Sequence, residues 1–215
     1  MEHRTGSSSP RQAIPPNTRD WLLEVADESA HERAHWDHVI AQHLQLHPTV
    51  NGWMRSRAAL RGTPHFARYR SHRLRYDKAV QALGNGGALA AEYELVTALS
   101  AEIARSPLIL RPGQVLLSGE VDAKELAFAR YNPFLWATVH PRSAARSADA
   151  SPDPRINEAQ PTVYVFRLEC TLPALFGRRG LHGEYDVLLP RRLRLTVDVS
   201  RPGRRYQVRE GRLGL

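Results

Sequence analysis

The stretch Glu184-Tyr185-Asp186-Val187-Leu188-Leu189-Pro190 decides the fold of this chain. Three aliphatic residues follow the second acid and a proline ends the run, a pattern typical of a short strand. Glu184 and Asp186 are two positions apart, so they lie on the same face of such a strand. The run therefore predicts a strand that carries two carboxylates at its start.

The composition is that of a globular protein. The chain has 215 residues, of which 42% are hydrophobic and 24% charged, enough for one sizeable domain or a compact domain with a helical extension. A single cysteine, Cys170, excludes an internal disulfide and a thiolate zinc cluster, and we expect it to be a small core residue on a strand.

The sequence carries no membrane or export signal that we can identify. It has no apolar run of about 20 residues, so we expect neither a membrane-spanning helix nor a membrane partner. The first residues lack the apolar core of a classical signal peptide. We expect the protein to act in a cytoplasm, and delivery into another cell as an effector is an open alternative.

The charge balance is strongly basic. A net charge of +8 and an isoelectric point near 10.2 attract anionic partners such as nucleic acid, a phosphorylated cofactor or an acidic protein surface. Because 28 of the 30 basic residues are arginine, high-GC codon usage explains the charge as well as phosphate binding does. A solvated basic surface and a nucleic-acid partner both remain open.

The first half of the sequence predicts helices. Residues 1–16 are rich in Ser and Pro and predict a flexible tail. Apolar residues at helical spacing then predict three helices, which form a helical lobe over residues 17–106. These helices are expected over residues 17–47, 63–83 and 88–104.

Two side-chain runs in this lobe have alternative interpretations. His31, His35 and His38 share one helix face, but no carboxylate stands at a familiar metalloenzyme spacing, so we predict no metal site. The second helix carries an arginine-rich run with three aromatics, typical of nucleic-acid binding. Helical spacing spreads those arginines around the cylinder, which favours a solvated face with aromatics in the core.

The second half of the sequence, residues 107–215, has the two-residue period of strands. We expect one strand to begin near Val115. Further strands are expected over residues 134–139, 162–170, 186–189, 193–199 and 205–208. Residues 143–161 are rich in Ala, Ser, Asp and Pro without periodicity, and we expect a mobile loop there. Helices followed by strands predict an α+β fold.

Three segments between Leu108 and Val199, in order, resemble the bacterial mono-ADP-ribosyltransferase toxin and effector family. Residues 115–119, Val-Leu-Leu-Ser-Gly, resemble the opening strand of that family, with Ser118 where the family has Arg or His. Residues 134–141, Phe-Leu-Trp-Ala-Thr-Val-His-Pro, are similar to Phe-Leu-Ser-Thr-Ser-Leu-Asp-Pro, and only Thr138 keeps a hydroxyl. Residues 184–190 resemble Glu-x-Glu-Val-Leu-Leu-Pro, with Asp186 as the second acid.

The resemblance implies a fold with an N-terminal helical lobe followed by two small, mainly antiparallel sheets. It also implies a site for NAD, which is a substrate of this family, and no metal. Asp186 would stabilise the positive charge that builds on the ribose, and Glu184 would orient or deprotonate the acceptor. Four residues would bind the cofactor, namely Ser118, Gly119, Phe134 and Thr138.

By the same resemblance, the loop at residues 177–183 would meet the acceptor through Arg178 and Arg179. The implied activity is the transfer of ADP-ribose to a protein, or to a nucleic acid, by a bacterial toxin or effector. Asp186 is one methylene shorter than the glutamate of the family, and Ser118, Trp136 and Ala137 depart from its motifs. The alternatives are therefore an inactive pseudoenzyme that binds a protein or nucleic acid, and a pocket in which Trp136 admits a different nucleotide.

Overall fold

The computed structural model describes residues 64–106, 109–119, 133–138, 141–150, 161–179, 184–202 and 206–215, with no description of the side chains of residues 142, 178, 179, 184 and 185. The predicted tail, the predicted helix over residues 17–47 and the three histidines on it lie outside these ranges. The described residues form helices and strands in the order that the sequence predicted, with helices first and strands after them, apart from one later helix.

Three helices form the described part of the helical lobe, and a fourth lies among the strands. They are α1 (Pro64–Ser71), α2 (Arg73–Gly84), α3 (Ala90–Ala104) and α4 (Pro141–Ala150). The prediction of one helix over residues 63–83 is wrong, because His72 leaves the helical region with φ −136° and ψ 41° and separates α1 from α2. Helix α3 agrees with its prediction within two residues.

Nine strands are described. They are β1 (Ile109–Leu110), β2 (Val115–Ser118), β3 (Leu135–Thr138), β4 (Thr162–Leu168), β5 (Leu172–Pro173), β6 (Leu175–Arg179), β7 (Glu184–Leu189), β8 (Arg194–Pro202) and β9 (Gln207–Gly214). Strands β1 and β5 pair as a two-stranded sheet, and the other seven form a sheet in the order β6-β7-β3-β2-β4-β9-β8. Among the described pairs only β4–β9 is parallel, so the predicted α+β fold with two mainly antiparallel sheets is confirmed.

Different elements pack on the two faces of the seven-stranded sheet. On one face, Leu116, Phe166 and Val187 pack in a cluster with Leu110 and Leu172 of the small sheet. The opposite face is covered by helices in two groups. Helices α1 to α3 pack near the β6 edge on a cluster that includes Trp136, Leu175 and Leu188. Helix α4 packs further along the sheet on a cluster that includes Val115, Leu117 and Val163.

Helix α4 corrects the prediction of a loop over residues 143–161, of which residues 151–160 lie outside the description. Three alanines of α4 are buried against the sheet, which supplies the stability that the local sequence lacks. Gly119 permits this approach, because a Cβ there would overlap the carbonyl oxygen of Ala144. The Tyr206 hydroxyl also donates a 2.7 Å hydrogen bond to Asp149 Oδ2 on the helix.

Helix α1 is held at its amino end by α3. The Glu102 carboxylate accepts a 2.8 Å hydrogen bond from the His65 amide and a 3.5 Å bond from the Phe66 amide. A negative charge at this end also complements the helix dipole. Burial nevertheless raises the pKa of Glu102, because it outweighs these hydrogen bonds.

Two further predictions, for the loop at residues 177–183 and for Cys170, can be compared with the structure. Residues 177–179, expected in a loop, belong to β6, while residues 180–183 lie outside the description. Cys170, expected on a strand, follows the end of β4 and packs half-buried against the sheet core.

None of the described helices is both long and apolar enough to cross a bilayer.

Candidate functional site

Four residues form a row across four neighbouring strands. Leu117 pairs with Thr138, Thr138 with Asp186, and Asp186 with Gly177. Residues directly opposite one another in antiparallel strands project to the same face. Trp136 and Leu188, two positions along β3 and β7, belong to the helix-covered cluster, so this row also lies on the helix-covered face. The structure therefore brings Thr138 and Asp186 together.

The row lies between the two helical groups. Leu117, at one end, belongs to the cluster beneath α4, and Gly177, at the other end, lies beneath α1. Thr138 and Asp186 stand in the middle, and both are buried. An acid and a hydroxyl are thus held side by side on neighbouring strands, between the two helical groups.

Asp186 is paired with an arginine of the helical lobe. Its exposed fraction is 1%, and its Oδ2 atom lies 3.6 Å from Nη2 of Arg70, whose side chain is 23% exposed. A distance of 3.6 Å exceeds the usual hydrogen-bond length, so this contact is an ion pair held by charge. Burial of the carboxylate strengthens that attraction, because less water screens the two charges.

Gly177 makes room for α1 beside this acid. A Cβ at position 177 would lie 2.9 Å from Cε1 of Phe66 and 3.1 Å from Nη1 of Arg70. The Phe66 ring and the Arg70 guanidinium therefore rest on the backbone of β6, opposite Asp186 in register. A glycine within a strand often marks such a close approach.

An aromatic cluster fixes α1 on the sheet. The Tyr69 ring centroid lies 5.7 Å from that of Trp136 and 6.0 Å from that of Phe134. Phe66 is also 6.0 Å from Trp136, and both Phe66 and Tyr69 are fully buried. Burial raises the pKa of Tyr69, which keeps its phenol neutral. Trp136 thus packs against α1 on the face that carries Asp186.

Phe134 and Ser118 were both predicted to bind the cofactor, and that role stays a prediction. The structure places Phe134 in the aromatic core, where it is buried. Ser118 pairs in register with Tyr164, whose ring belongs to the cluster on the opposite face. Its hydroxyl donates a 2.8 Å hydrogen bond to the Trp136 carbonyl. The structure therefore does not bring Ser118 together with Asp186.

Backbone register gives the positions of Glu184, Arg178 and Arg179. Glu184 is opposite Arg179, and Arg178 is opposite Tyr185, at the outer end of the β6–β7 pair. The three residues are thus within two register positions of Asp186. Gly119, predicted at the cofactor, lies beneath α4. These roles also stay predictions.

Sequence reasoning missed Arg70, Phe66 and Gly177 as residues of this site. Arg70 was noticed only as part of the arginine-rich run, and Gly177 only as the start of a loop. In that run, Arg73 pairs with Asp77, and Phe66, Tyr69 and Tyr76 are buried. The aromatics of this run therefore offer no stacking surface to nucleic acid. Among the described residues, no group of three or more His, Cys, Asp or Glu side chains is placed to hold a metal.

Comparison with known proteins identifies the fold. No protein-family model and no curated protein sequence matches the chain. Among solved structures, it is similar to Vis toxin, an ADP-ribosyltransferase from Vibrio splendidus, with a TM-score of 0.53, 11% identity and coverage of 89% of each chain. It is also similar to an ADP-ribosyltransferase from Clostridium botulinum, with a TM-score of 0.50, 12% identity and coverage of 88% of this chain and 98% of that one.

A further similar structure is Vis in complex with agmatine, with a TM-score of 0.51, 9% identity and coverage of 90% of this chain and 89% of that one. At such identities the likeness establishes the fold alone. The chain has the fold of these bacterial ADP-ribosyltransferase toxins, as the three sequence segments led us to expect, with a sequence that has diverged far from theirs.

Proposed function

We propose that this protein transfers ADP-ribose from NAD to an acceptor macromolecule. The observation that carries the proposal is the position of Asp186, on a strand beside Thr138 and between the two helical groups. The fold shared with ADP-ribosyltransferase structures supports the proposal. The sequence resemblance supports it independently, because Asp186 stands at the second acid of the motif that residues 184–190 resemble.

The residues suit the chemistry of this reaction. NAD supplies the ADP-ribosyl group, and the bond between its nicotinamide and ribose is the one that breaks. Positive charge develops on the ribose as that bond lengthens, as in glycoside cleavage. The Asp186 carboxylate stabilises this charge and accepts a hydrogen bond from a sugar hydroxyl, and the neighbouring Thr138 offers a second polar contact. Glu184 orients or deprotonates the acceptor side chain.

The acceptor is a protein in this proposal, met at the end of the β6–β7 pair where Arg178 and Arg179 lie. The structure of Vis with agmatine, a guanidinium compound, supports testing arginine side chains as acceptors. The net charge of +8 would help the protein to approach an acidic surface. The site of action is the cytoplasm of the cell that the protein was made in or delivered to, and its role is that of a bacterial toxin or effector.

A label-transfer assay tests the proposal. Purified protein is incubated with NAD labelled in the adenylate portion and with a cell lysate, and labelled macromolecules are separated and digested with protease or nuclease. We expect label on protein, and we expect Asp186→Asn to lower transfer by about 100-fold or more, as loss of a preorganised charge does. Asp198→Asn, an exposed acid on β8, is the matched control. Absence of both label transfer and nicotinamide release counts against the proposal.

One observation favours a second candidate, a catalytically inactive module that binds a partner. Arg70 lies 3.6 Å from Asp186, and Phe66 rests on Gly177 of the neighbouring strand. Trp136 packs under α1 at a position where the resembling motif has a serine. Calorimetric titration with NAD separates the two candidates. Heat of binding that Asp186→Asn abolishes favours the enzyme. Binding to a nucleic acid that weakens steeply with salt, without NAD binding, favours the module.

A further inference from the structure

The surface where α1 meets α2 carries an exposed leucine beside three exposed cations. The cations are Arg68 of α1 and Arg75 and Lys78 of α2. Leu74 is 77% exposed, more than any other large hydrophobic residue in the described part of the chain. We propose that this surface, the basic elbow (Arg68, Leu74, Arg75 and Lys78), binds the anionic face of a lipid bilayer. Such binding does not depend on the proposed ADP-ribosyl transfer.

The cations of the basic elbow are not neutralised by described acids. Two other arginines of the same run are paired, Arg70 with Asp186 at 3.6 Å and Arg73 with Asp77 at 3.4 Å. Within the ranges that the structure describes, no carboxylate forms an ion pair with the three cations of the basic elbow. The positive charge at this surface therefore faces solvent, where it attracts an anionic surface.

Helical spacing places the leucine and the cations side by side. Leu74 and Lys78 are four positions apart on α2, and Arg75 and Lys78 are three apart, so each pair consists of neighbours on the helix surface. The Tyr76 hydroxyl donates a hydrogen bond to a carbonyl oxygen of α1, which joins the two helices here. Burial raises the pKa of Tyr76, and the charges of Arg68 and Arg75 both oppose that rise, so both guanidinium groups lie near this one phenol. The four residues therefore form one surface.

An exposed leucine among cations suits a bilayer better than a nucleic acid or an acidic protein. Anionic headgroups attract the cations, and the acyl region beneath them accepts the leucine. A nucleic-acid backbone offers charge without an apolar phase, and the aromatics that could stack on bases, Phe66, Tyr69 and Tyr76, are buried. An acidic protein would need an apolar pocket shaped for Leu74 between its carboxylates, whereas a bilayer presents both chemistries at every point. The bilayer is therefore the partner that both features fit.

The start of α3 provides a contrast within the same lobe. Leu89 and Tyr93 are 71% and 59% exposed, so they are nearly as accessible as Leu74. They stand beside Glu92 and Glu94 instead of cations. An anionic bilayer repels these carboxylates, so we expect no binding through this part of the lobe. Leu89 is therefore the matched control for Leu74.

Binding of this kind is peripheral and weak. A cation near an anionic bilayer raises the partition coefficient about fivefold, so three cations raise it about 100-fold, and salt screens the effect. The leucine adds an apolar contribution that does not depend on charge. No apolar run of about 20 residues is needed. The expectation of no membrane partner considered only such a run, and the basic elbow departs from it.

Vesicle sedimentation tests the basic elbow in the full chain. The partition coefficient is measured on vesicles of phosphatidylcholine alone and on vesicles of phosphatidylcholine and phosphatidylserine in equal parts. We expect at least about tenfold tighter binding to the mixed vesicles. Arg75→Gln should weaken that binding about fivefold, and Leu74→Ser should weaken it at least about threefold. Circular dichroism melting shows that each variant is folded.

Two variants are the matched controls. Arg201→Gln removes an arginine charge on β8, at the edge of the sheet opposite β6, and Leu89→Ser removes an exposed leucine beside acids. Neither residue reaches a bilayer bound at the basic elbow, and salt screens exposed charges beyond about 10 Å. Each control should therefore change binding to the mixed vesicles by less than about twofold.

The basic elbow is not a membrane surface if the protein fails to sediment with the mixed vesicles, or if it binds both kinds of vesicle equally. Binding that Arg75→Gln weakens but Leu74→Ser does not would also overturn the proposal, because it shows charge attraction without insertion. So would equal losses in Leu74→Ser and Leu89→Ser. Binding to duplex DNA that weakens steeply with salt, without vesicle binding, would make the basic elbow a nucleic-acid surface instead.

Discussion

Asp186 is the residue on which the proposed chemistry depends. It stands on a central strand between Thr138 and Gly177, so its backbone is fixed by hydrogen-bonded neighbours on both sides. A carboxylate in such a place needs a cation or polar partner, because an isolated buried charge is very costly. The ion pair with Arg70 contributes to meeting that need in this structure. A ribose hydroxyl and a developing positive charge would meet it in the reactive state.

A substitution at Ser118 tests whether this residue stabilises the fold or binds the cofactor. Because its hydroxyl donates to the Trp136 carbonyl on the face away from Asp186, we expect Ser118→Ala to lower the free energy of unfolding by about 1 kcal/mol. We expect the affinity for NAD to stay within twofold of the original. Chemical denaturation and calorimetry measure the two quantities. Loss of NAD affinity with unchanged stability would instead place the serine at the cofactor, as the resemblance implies.

A substitution at Gly177 tests the packing of α1 on β6 through the free energy of unfolding. Gly177→Ala presses a methyl group on the Phe66 ring, and overpacking of this kind costs about 1 to 3 kcal/mol of unfolding free energy. Gly214→Ala should cost less, because the closest atom to its added Cβ, Glu169 Oε2 at 3.2 Å, is the end of a flexible side chain. Urea denaturation of the two variants checks this. Equal stability of both would show that α1 does not rest on β6 as described.

Glu102 makes the pH dependence of stability testable. Burial raises the pKa of Glu102, so the folded protein holds this proton more tightly than the unfolded chain does. The contribution of Glu102 to stability is therefore full below its ordinary pKa and is lost as the pH rises through its raised value. We expect the original protein to lose more stability than Glu102→Gln between pH 4 and pH 7. Melting temperatures of both proteins across that range give the comparison, and parallel curves would contradict it.

The stability of helix α4 depends on its contacts with the rest of the fold. Tyr206 is buried and donates its hydroxyl hydrogen to Asp149 on the exposed side of the helix. Tyr206→Phe removes that bond and keeps the ring, so we expect a loss of about 1 kcal/mol in unfolding free energy. Hydrogen exchange should also quicken in residues 141–150 and not in α3. Unchanged exchange at α4 would show that the tyrosine does not hold it.

The elements also show which parts of the fold the sequence could predict. Helix α3 follows from the helical spacing of Leu95, Val96, Leu99 and Ile103, all of which are buried as that spacing predicts. Strands β2, β3 and β7 follow from their apolar runs. Helix α4 has a helix-start proline and alanines at helical spacing, but its Ser and Asp residues favour a loop locally, and packing on the sheet decides the outcome.

The break between α1 and α2 could not be predicted, because His72 carries no local breaking signal such as a proline or glycine. Tertiary packing separates the helices, since Tyr69 and Tyr76 stack edge to face at 5.3 Å in one core. The contact of Arg70 with Asp186 joins residues far apart in the sequence, and no local pattern reveals such a pair. Motif resemblance supplied Asp186 and Thr138, whereas the residues around them required the three-dimensional arrangement.

At the scale of the whole molecule, one sheet carries helices on one face and a small sheet on the other. The helices form two groups, and the Thr138–Asp186 pair lies between them along the sheet. Ligand sites in proteins are commonly clefts between packed elements, with a few polar groups that fix the ligand. The likeness to toxin structures over most of both chains places this arrangement in an ADP-ribosyltransferase fold.

The most direct test of the account is a crystal structure of the protein soaked with NAD. We predict that a hydroxyl of the nicotinamide ribose lies within hydrogen-bond distance, about 3 Å, of the Asp186 carboxylate. Dinucleotide that is absent at saturating concentration would contradict the account. So would dinucleotide bound away from Asp186.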